Sequence, residues 1–136
     1  MARLEQAAPV LQVQDVALSM RWYSDVLGLE GWTFPKTPPY DFALLSRDGV
    51  ELMFQKRAAR EQPERVNVGW AVYIHLKGGD LLEVASQIKA KTKLLTDPTR
   101  MPYRDVEFSV EDPDGHVIVL SEQLPDDVNV PLAIEA

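Results

Sequence analysis

The run Glu111-Asp112-Pro113-Asp114-Gly115-His116-Val117-Ile118-Val119-Leu120 restricts the fold more than any other stretch of the chain. Pro113 fixes its own φ, and Gly115 accepts the positive φ that tight turns demand, so a turn is predicted there. Four apolar residues follow, three of them β-branched, which predicts a strand. Because the apolar run is unbroken, both faces of that strand should be covered. The same grammar occurs earlier, as Ser46-Arg47-Asp48-Gly49-Val50-Glu51-Leu52-Met53-Phe54, with Gly49 standing 66 positions before Gly115 (115 − 49). A turn and strand written twice at that interval point to a duplicated unit.

At 136 residues the chain has the size of one domain. It contains no cysteine, which removes thiol catalysis, thiolate metal sites and disulfides, and fits a reducing compartment. No signal peptide is visible in Met1-Ala2-Arg3-Leu4-Glu5-Gln6, and no apolar run approaches the ~20 residues of a membrane span. A cytoplasmic protein with no membrane partner is expected. The net charge of −7 lacks the basic term on which nucleic-acid binding rests, and long-range attraction would favour a cationic small molecule.

Residues 7–56 read as a first module. Val10 to Gln14 alternate, with Leu11 and Val13 on one face and Val10, Gln12 and Gln14 on the other. Asp15 is expected to cap a helix whose stripe is Val16, Met20, Tyr23 and Leu27, ending at Gly28. A short strand over Leu29–Phe34 carries Trp32 and Phe34. A proline-bearing loop over 36–39 leads to a hairpin of Tyr40–Ser46 and Val50–Lys56, in which Val50, Leu52 and Phe54 oppose Glu51, Met53 and Gln55. Residues 57–67 are charged and nonperiodic and read as a linker.

Residues 68–124 repeat the order. Trp70–Leu76 predicts a strand with Val72, Ile74 and Leu76 opposite Ala71, Tyr73 and His75. After Gly78-Gly79, Asp80 and Glu83 have the spacing of a capping box, before a helix with Leu81, Val84, Ala85 and Ile88 as its stripe. Leu94–Thr96 reads as a brief strand, Pro98–Pro102 as a loop and Arg104–Val110 as a strand. The acidic, proline-bearing tail 125–136 is expected to be loosely held. Each half is thus βαβββ, an α+β fold. Each sheet packs one face on its helix. The other face must be covered by the partner half, a partner subunit or a ligand, because Val117, Val119 and Met53 are too apolar for open water.

With Pro9-Val10-Leu11 to Asp15, Ser19, Trp22-Tyr23, Leu27-Gly28-Leu29, Gly49-Val50-Glu51-Leu52, Val106-Glu107-Phe108 and Asp112-Pro113-Asp114-Gly115 in place, the chain resembles the vicinal oxygen chelate superfamily. That group includes glyoxalase I, extradiol dioxygenases and bleomycin-resistance proteins. The resemblance spans residues 8 to 124. It implies two βαβββ modules whose curved mixed sheets enclose a cup, often completed by a second subunit, so a homodimer is expected. It also implies four metal-ligand positions, which fall here on Ala8, Glu51, Ala71 and Val119; only Glu51 can donate a lone pair. His75 lies about 13 Å further along its strand than Ala71 and cannot stand in, at ~3.3 Å per residue. His116 has the wrong parity. No metal and no other cofactor are expected.

By strand parity the cup should present Gln12, Gln14, Glu51, Met53, Gln55, Tyr73, His75, Glu107, Ser109, Val117, Val119 and Ser121, flanked by Trp32, Phe34, Tyr40 and Tyr103. Aromatic walls with a few polar groups describe a small-molecule site, and carboxylates beside aromatic faces suit a planar or cationic guest. The expected ligand residues are therefore Gln12, Trp32, Phe34, Tyr40, Glu51, Met53, Gln55, Tyr73, His75, Tyr103, Glu107 and Val119. Each has a plainer reading too: Glu51 as a relic bonded to neighbours, His75 as a satisfied strand-end residue, Glu107 as an ion pair with Arg104, the aromatics of 32–40 as dimer contacts. The resulting expectation is a metal-free binding protein of the bleomycin-resistance type. The alternatives are a lyase, isomerase or dioxygenase built on Glu51, and a dimerising domain with no ligand.

Overall fold

The computed structural model describes residues 2–58 and 69–133. The chain forms two compact units, Met1–Glu64 and Arg65–Ala136. The expected linker 57–67 falls almost wholly outside the described residues.

In the first unit the order is β1 (Val10–Val13), α1 (Val16–Leu27), β2 (Glu30–Phe34), β3 (Phe42–Arg47) and β4 (Val50–Lys56). The sheet order is β1-β4-β3-β2, with β1 parallel to β4 and the other pairs antiparallel. Asp15 caps α1 as its type predicts: its Oδ1 accepts from Leu18 N–H at 3.1 Å. Gly28 ends the helix at φ +70°, and the Arg47 guanidinium donates to the Leu27 carbonyl at 2.9 Å, a cation at a helix C-terminus. The buried stripe of α1 includes Val16, Ser19, Tyr23, Val26 and Leu27, while Met20 is only half-buried. Tyr23 packs on Phe54 of β4, ring centroids 4.8 Å apart, so the face bearing Leu11, Val13, Ala43, Leu45, Leu52 and Phe54 is the core face. Alternation then sends Gln12, Trp32, Phe34, Phe42, Met53 and Gln55 to the helix-free face.

Two local expectations are revised here. At the β3–β4 turn the left-handed residue is Asp48, φ 52°, not Gly49; the short Asp side chain tolerates that conformation. Gly31 gives no turn signal in the sequence, yet a Cβ there would stand 1.8 Å from the Leu44 carbonyl oxygen, so the β2–β3 approach requires glycine.

The second unit repeats the pattern with β5 (Trp70–His75), α2 (Leu81–Lys89), β6 (Leu94–Arg100), β7 (Val106–Glu111) and β8 (Val117–Glu122), in sheet order β5-β8-β7-β6. Strand β8 is buried along its whole length, as its unbroken apolar run predicts. The turn before it is held by Asp112. Its Oδ1 accepts from the N–H groups of Asp114 (2.9 Å) and His116 (2.8 Å), and its Oδ2 lies 2.9 Å from His116 Nδ1. His116 is buried on the helix side of β8, and its Nε2 has no partner among the described residues. With Nδ1–H donating to Asp112, that Nε2 is a bare acceptor rather than a stranded donor.

Three expectations fail in this unit. The Asp80 side chain makes no cap; instead the buried carboxylate of Glu122 accepts from Gly79 N–H (2.6 Å) and Leu81 N–H (3.1 Å). A charge brought in from β8 thus supplies what a local capping box would have supplied. Residues 94–100 are one edge strand carrying two register shifts, not a brief strand followed by a loop; the irregularity accommodates Pro98. The tail is not loose over 125–133: Arg100 N–H donates to Pro131 O (2.8 Å), Ala133 N–H donates to Arg100 O (2.9 Å), and Arg104 pairs with Asp126 at 3.0 Å. Among the described residues no helix is long and apolar enough to cross a membrane.

Glu122→Ala should remove about 1–3 kcal/mol of stability, since the N–H groups of Gly79 and Leu81 lose a buried charged acceptor. Asp80→Ala should cost under ~0.5 kcal/mol. Paired urea unfolding of the two variants checks the contrast.

Candidate functional site

The helix-free face of the second sheet is set by register. β7 and β8 pair Glu107 with Ser121 and Ser109 with Val119; β5 and β8 pair His75 with Ser121 and Tyr73 with Val119. Two rows result. One runs His75, Ser121, Glu107 and Thr99. The other runs Tyr73, Val119, Ser109 and Thr96, with the Thr96 and Ser109 hydroxyls 2.7 Å apart.

Glu107 is the centre of the first row. Its side chain is buried, 5% exposed for the residue, and its Oε2 accepts hydrogen bonds from both Tyr73 and Tyr103 hydroxyls. Among the described residues no Lys or Arg pairs with it. The expected Arg104 partner is turned away to Asp126, because Arg104 takes a left-handed φ of 82° in the loop before β7. Beside Glu107, the Ser121 hydroxyl lies 3.2 Å from His75 Nδ1 and donates to Asp105 Oδ2 at 3.5 Å. Trp70, Tyr73 and His75 form a continuous aromatic series, with centroids 5.4 and 5.0 Å apart in succession.

Both phenols are pushed above the ordinary tyrosine pKa. Burial is the main cause for each, and the hydrogen bond to Glu107 adds to it; at Tyr73 a bond with Ser121 pulls the other way. A phenolate beside the Glu107 carboxylate would bring two like charges together, so the neutral donor form is held, although the Tyr103 ring is itself half exposed.

The helix-free face of the first sheet is different in kind. The Gln12 amide donates to Gln55 Oε1 at 2.8 Å, and Gln55 is in register with Phe42, itself opposite Phe34. The next row runs Val10, Met53, Leu44 and Trp32, and Trp32 leans on Phe42 with centroids 5.8 Å apart. Trp32 and Phe34 are 55% and 61% exposed. Glu51 lies on this face with its Oε1 accepting from the Gln6 amide at 3.1 Å. Tyr40 is half-buried in the connection that Asp41 N–H closes onto Phe34 O at 2.9 Å.

Thus Tyr73, His75, Tyr103, Glu107 and Val119 come together in one unit, and Gln12, Trp32, Phe34, Met53 and Gln55 in the other. Sequence reasoning missed Trp70, Asp105 and Phe42. Phe42 shares the parity of Leu44, but Trp70 has the opposite parity to Tyr73 in a regular strand, and only the register shift between Trp70 and Val72 brings it to Tyr73's face. Asp105 lies in the loop before β7, where no period operates.

The donor set does not fit a bound divalent metal. Ala71 and Val119 offer hydrocarbon only, Ala71 falls at the β5 bulge, and Glu51 is engaged by an amide. Among the described residues no group of three or more His, Asp or Glu side chains is disposed to hold an ion.

A model of the Glyoxalase/Bleomycin resistance protein/Dioxygenase superfamily matches residues 3–120. A glyoxylase/bleomycin resistance protein/dioxygenase domain from Frankia sp. EAN1pec superposes with a TM-score of 0.70 at 16% identity, over 90% of this chain and 99% of that one. A lactoylglutathione lyase from Agrobacterium tumefaciens gives 0.66 at 17% identity, over 90% and 96%. A protein from the mobile metagenome of V. Pseudocholerae gives 0.65 at 18% identity, over 92% and 99%. At these identities the likeness is one of fold. No curated protein matches the chain in sequence.

The raised phenols set a pH dependence. Each is favoured as the neutral donor in the folded chain, so its contribution to stability is complete below the ordinary phenol value of ~10 and is lost as pH rises through the folded value. A phenolate absorbance titration should find two late tyrosines among the four, and Tyr103→Phe should remove one of them.

Proposed function

The chain belongs to the Glyoxalase/Bleomycin resistance protein/Dioxygenase superfamily, and within it we propose that this protein is a metal-free small-molecule binder that captures a cationic, aromatic compound. The observation that carries the reading is Glu107. A carboxylate removed from water costs free energy unless a cation accompanies it, and among the described residues this one meets only phenol donors. A guest cation would bring the missing charge. Asp105 stands close by through Ser121, and Trp70, Tyr73 and Tyr103 offer ring faces to a positive or planar group. The overall charge of −7 favours the approach of such a guest.

Catalysis at Glu51 has less support. Its carboxylate is taken up by Gln6, and the metal positions around it in the family pattern are hydrocarbon. The proposal includes a homodimer: Trp32 and Phe34 expose ring surface on the helix-free face of the first sheet, which a second copy would bury. Sedimentation at micromolar concentration should report twice the 15.3 kDa chain mass, and a monomer would refute that part.

Calorimetric titration with cationic aromatic compounds and their neutral isosteres tests the binding. The cations should bind more tightly than ~100 μM, and Glu107→Gln should weaken them by about tenfold or more while leaving neutral isosteres unchanged. Equal binding of charged and neutral compounds, or none of either, would sink the reading.

A further inference from the structure

Tyr103 reaches Glu107 from a loop, not from the sheet, so something must hold that loop in place. The loop closes on itself through Met101 N–H to Asp105 O and Arg104 N–H to Met101 O, both 2.8 Å, and it stores a left-handed Arg104. It is then fastened from outside by one side chain. Arg100 Nη1 donates to Arg104 O at 3.1 Å and to Leu124 O at 2.8 Å, and Nη2 donates to Pro125 O at 2.7 Å. The planar fork of a guanidinium bonds three carbonyls at fixed angles, which an ammonium does not do.

The same residue is gripped through its backbone by the far end of the chain. Arg100 N–H donates to Pro131 O, and Ala133 N–H donates to Arg100 O, so residues 131–133 lie beside the end of β6 as an added parallel bridge at Leu132. The C-terminal segment thus leaves β8 after Glu122, passes the Arg100 guanidinium at Leu124 and Pro125, and returns to the Arg100 backbone. Its third link, Arg104 to Asp126, is between exposed groups and carries little.

We propose that residues 124–133 act as a clasp, with Arg100 as its pivot, that positions Tyr103 on Glu107 and so couples the C-terminal segment to the ligand site. Arg100 touches no ligand in this scheme; it is a positioning residue. The functional meaning of the clasp rests on Glu107 being the ligand group, but the clasp itself is tested without any ligand.

The readout is the ionisation of the Tyr103 phenol, followed by phenolate absorbance in the full-length chain. The phenol is held high by burial and by Glu107, and a released loop loses both. Arg100→Ala should lower one tyrosine midpoint by about one pH unit or more, toward ~10. Arg100→Lys should fall between it and the parent protein. Ala133→Pro, which deletes the N–H that grips Arg100 O and constrains the backbone of the bridging Leu132, should move the same phenol in the same direction, and in a Tyr103→Phe background that movement should vanish. Asp126→Asn should leave the titration unchanged. A phenol that moves in Arg100→Ala but not in Ala133→Pro would show the loop anchored without the tail, and would overturn the clasp. So would a phenol that moves in neither. If Arg100→Ala does not fold, the surface change Ala133→Pro decides alone.

Discussion

The β7–β8 register is the constraint on which the second unit depends. Asp112 closes the connecting turn by accepting two backbone N–H groups and pairing with His116, which fixes how the two strands meet. From that meeting point alternation does the rest: Val106, Phe108 and Val110 face the helix with Ile118 and Leu120, while Glu107 and Ser109 face away with Val119 and Ser121. A slip of one residue would put the Glu107 carboxylate into the helix-packed core and Phe108 onto the polar face. The cost of burying that charge among Ile118, Leu120 and α2 disfavours the slipped register. The turn therefore specifies not only a hairpin but which side chains share a surface.

That unit buries three carboxylates: Asp112 is paired with His116 at the turn, and the two glutamates are treated differently. Glu122 meets the N-terminus of α2, where two amide N–H groups and the positive end of the helix dipole offset its charge. Glu107 meets two phenols, which hydrogen-bond it but bring no positive charge. One is a structural strut; the other keeps an unbalanced charge at a surface lined with rings. The difference arises from parity alone, since the two glutamates sit on adjacent strands with opposite orientations.

The duplicated βαβββ order, both helix stripes and the two faces of each hairpin were legible because they follow period and turn chemistry, which are local. Asp15 and Gly28 cap α1 in the way their types dictate. The signals that failed were those answered from elsewhere in the chain. Asp80 and Glu83 spell a capping box, but Glu122 arrives from 41 residues away and takes the amide of Leu81. Pro98 spells a loop, but an edge strand tolerates it at a bulge. The acidic tail spells looseness, but Arg100 binds its carbonyls, which composition does not report. At the site, Glu107, Tyr73 and Ser121 were legible by alternation. The Tyr73–Glu107–Tyr103 bond pair was not, because Tyr103 comes from a loop whose path no period sets.

The two units carry one architecture and two chemistries. At the helix-free face of the first, an amide pair and exposed rings offer hydrogen bonds and area without charge. At the same face of the second, carboxylate and phenol offer charge and donors. Nothing in the strand order distinguishes them, and both helix-packed faces are mainly aliphatic and aromatic, with Glu122 and His116 added in the second. At positions that alternation points away from the helices, a substitution changes chemistry at little cost to packing. Ala71 and Val119 belong to that class. Hydrocarbon at those positions offers no lone pair to an ion, while Glu107, two strands from β5, presents a carboxylate on the face that alternation turns away from the helix.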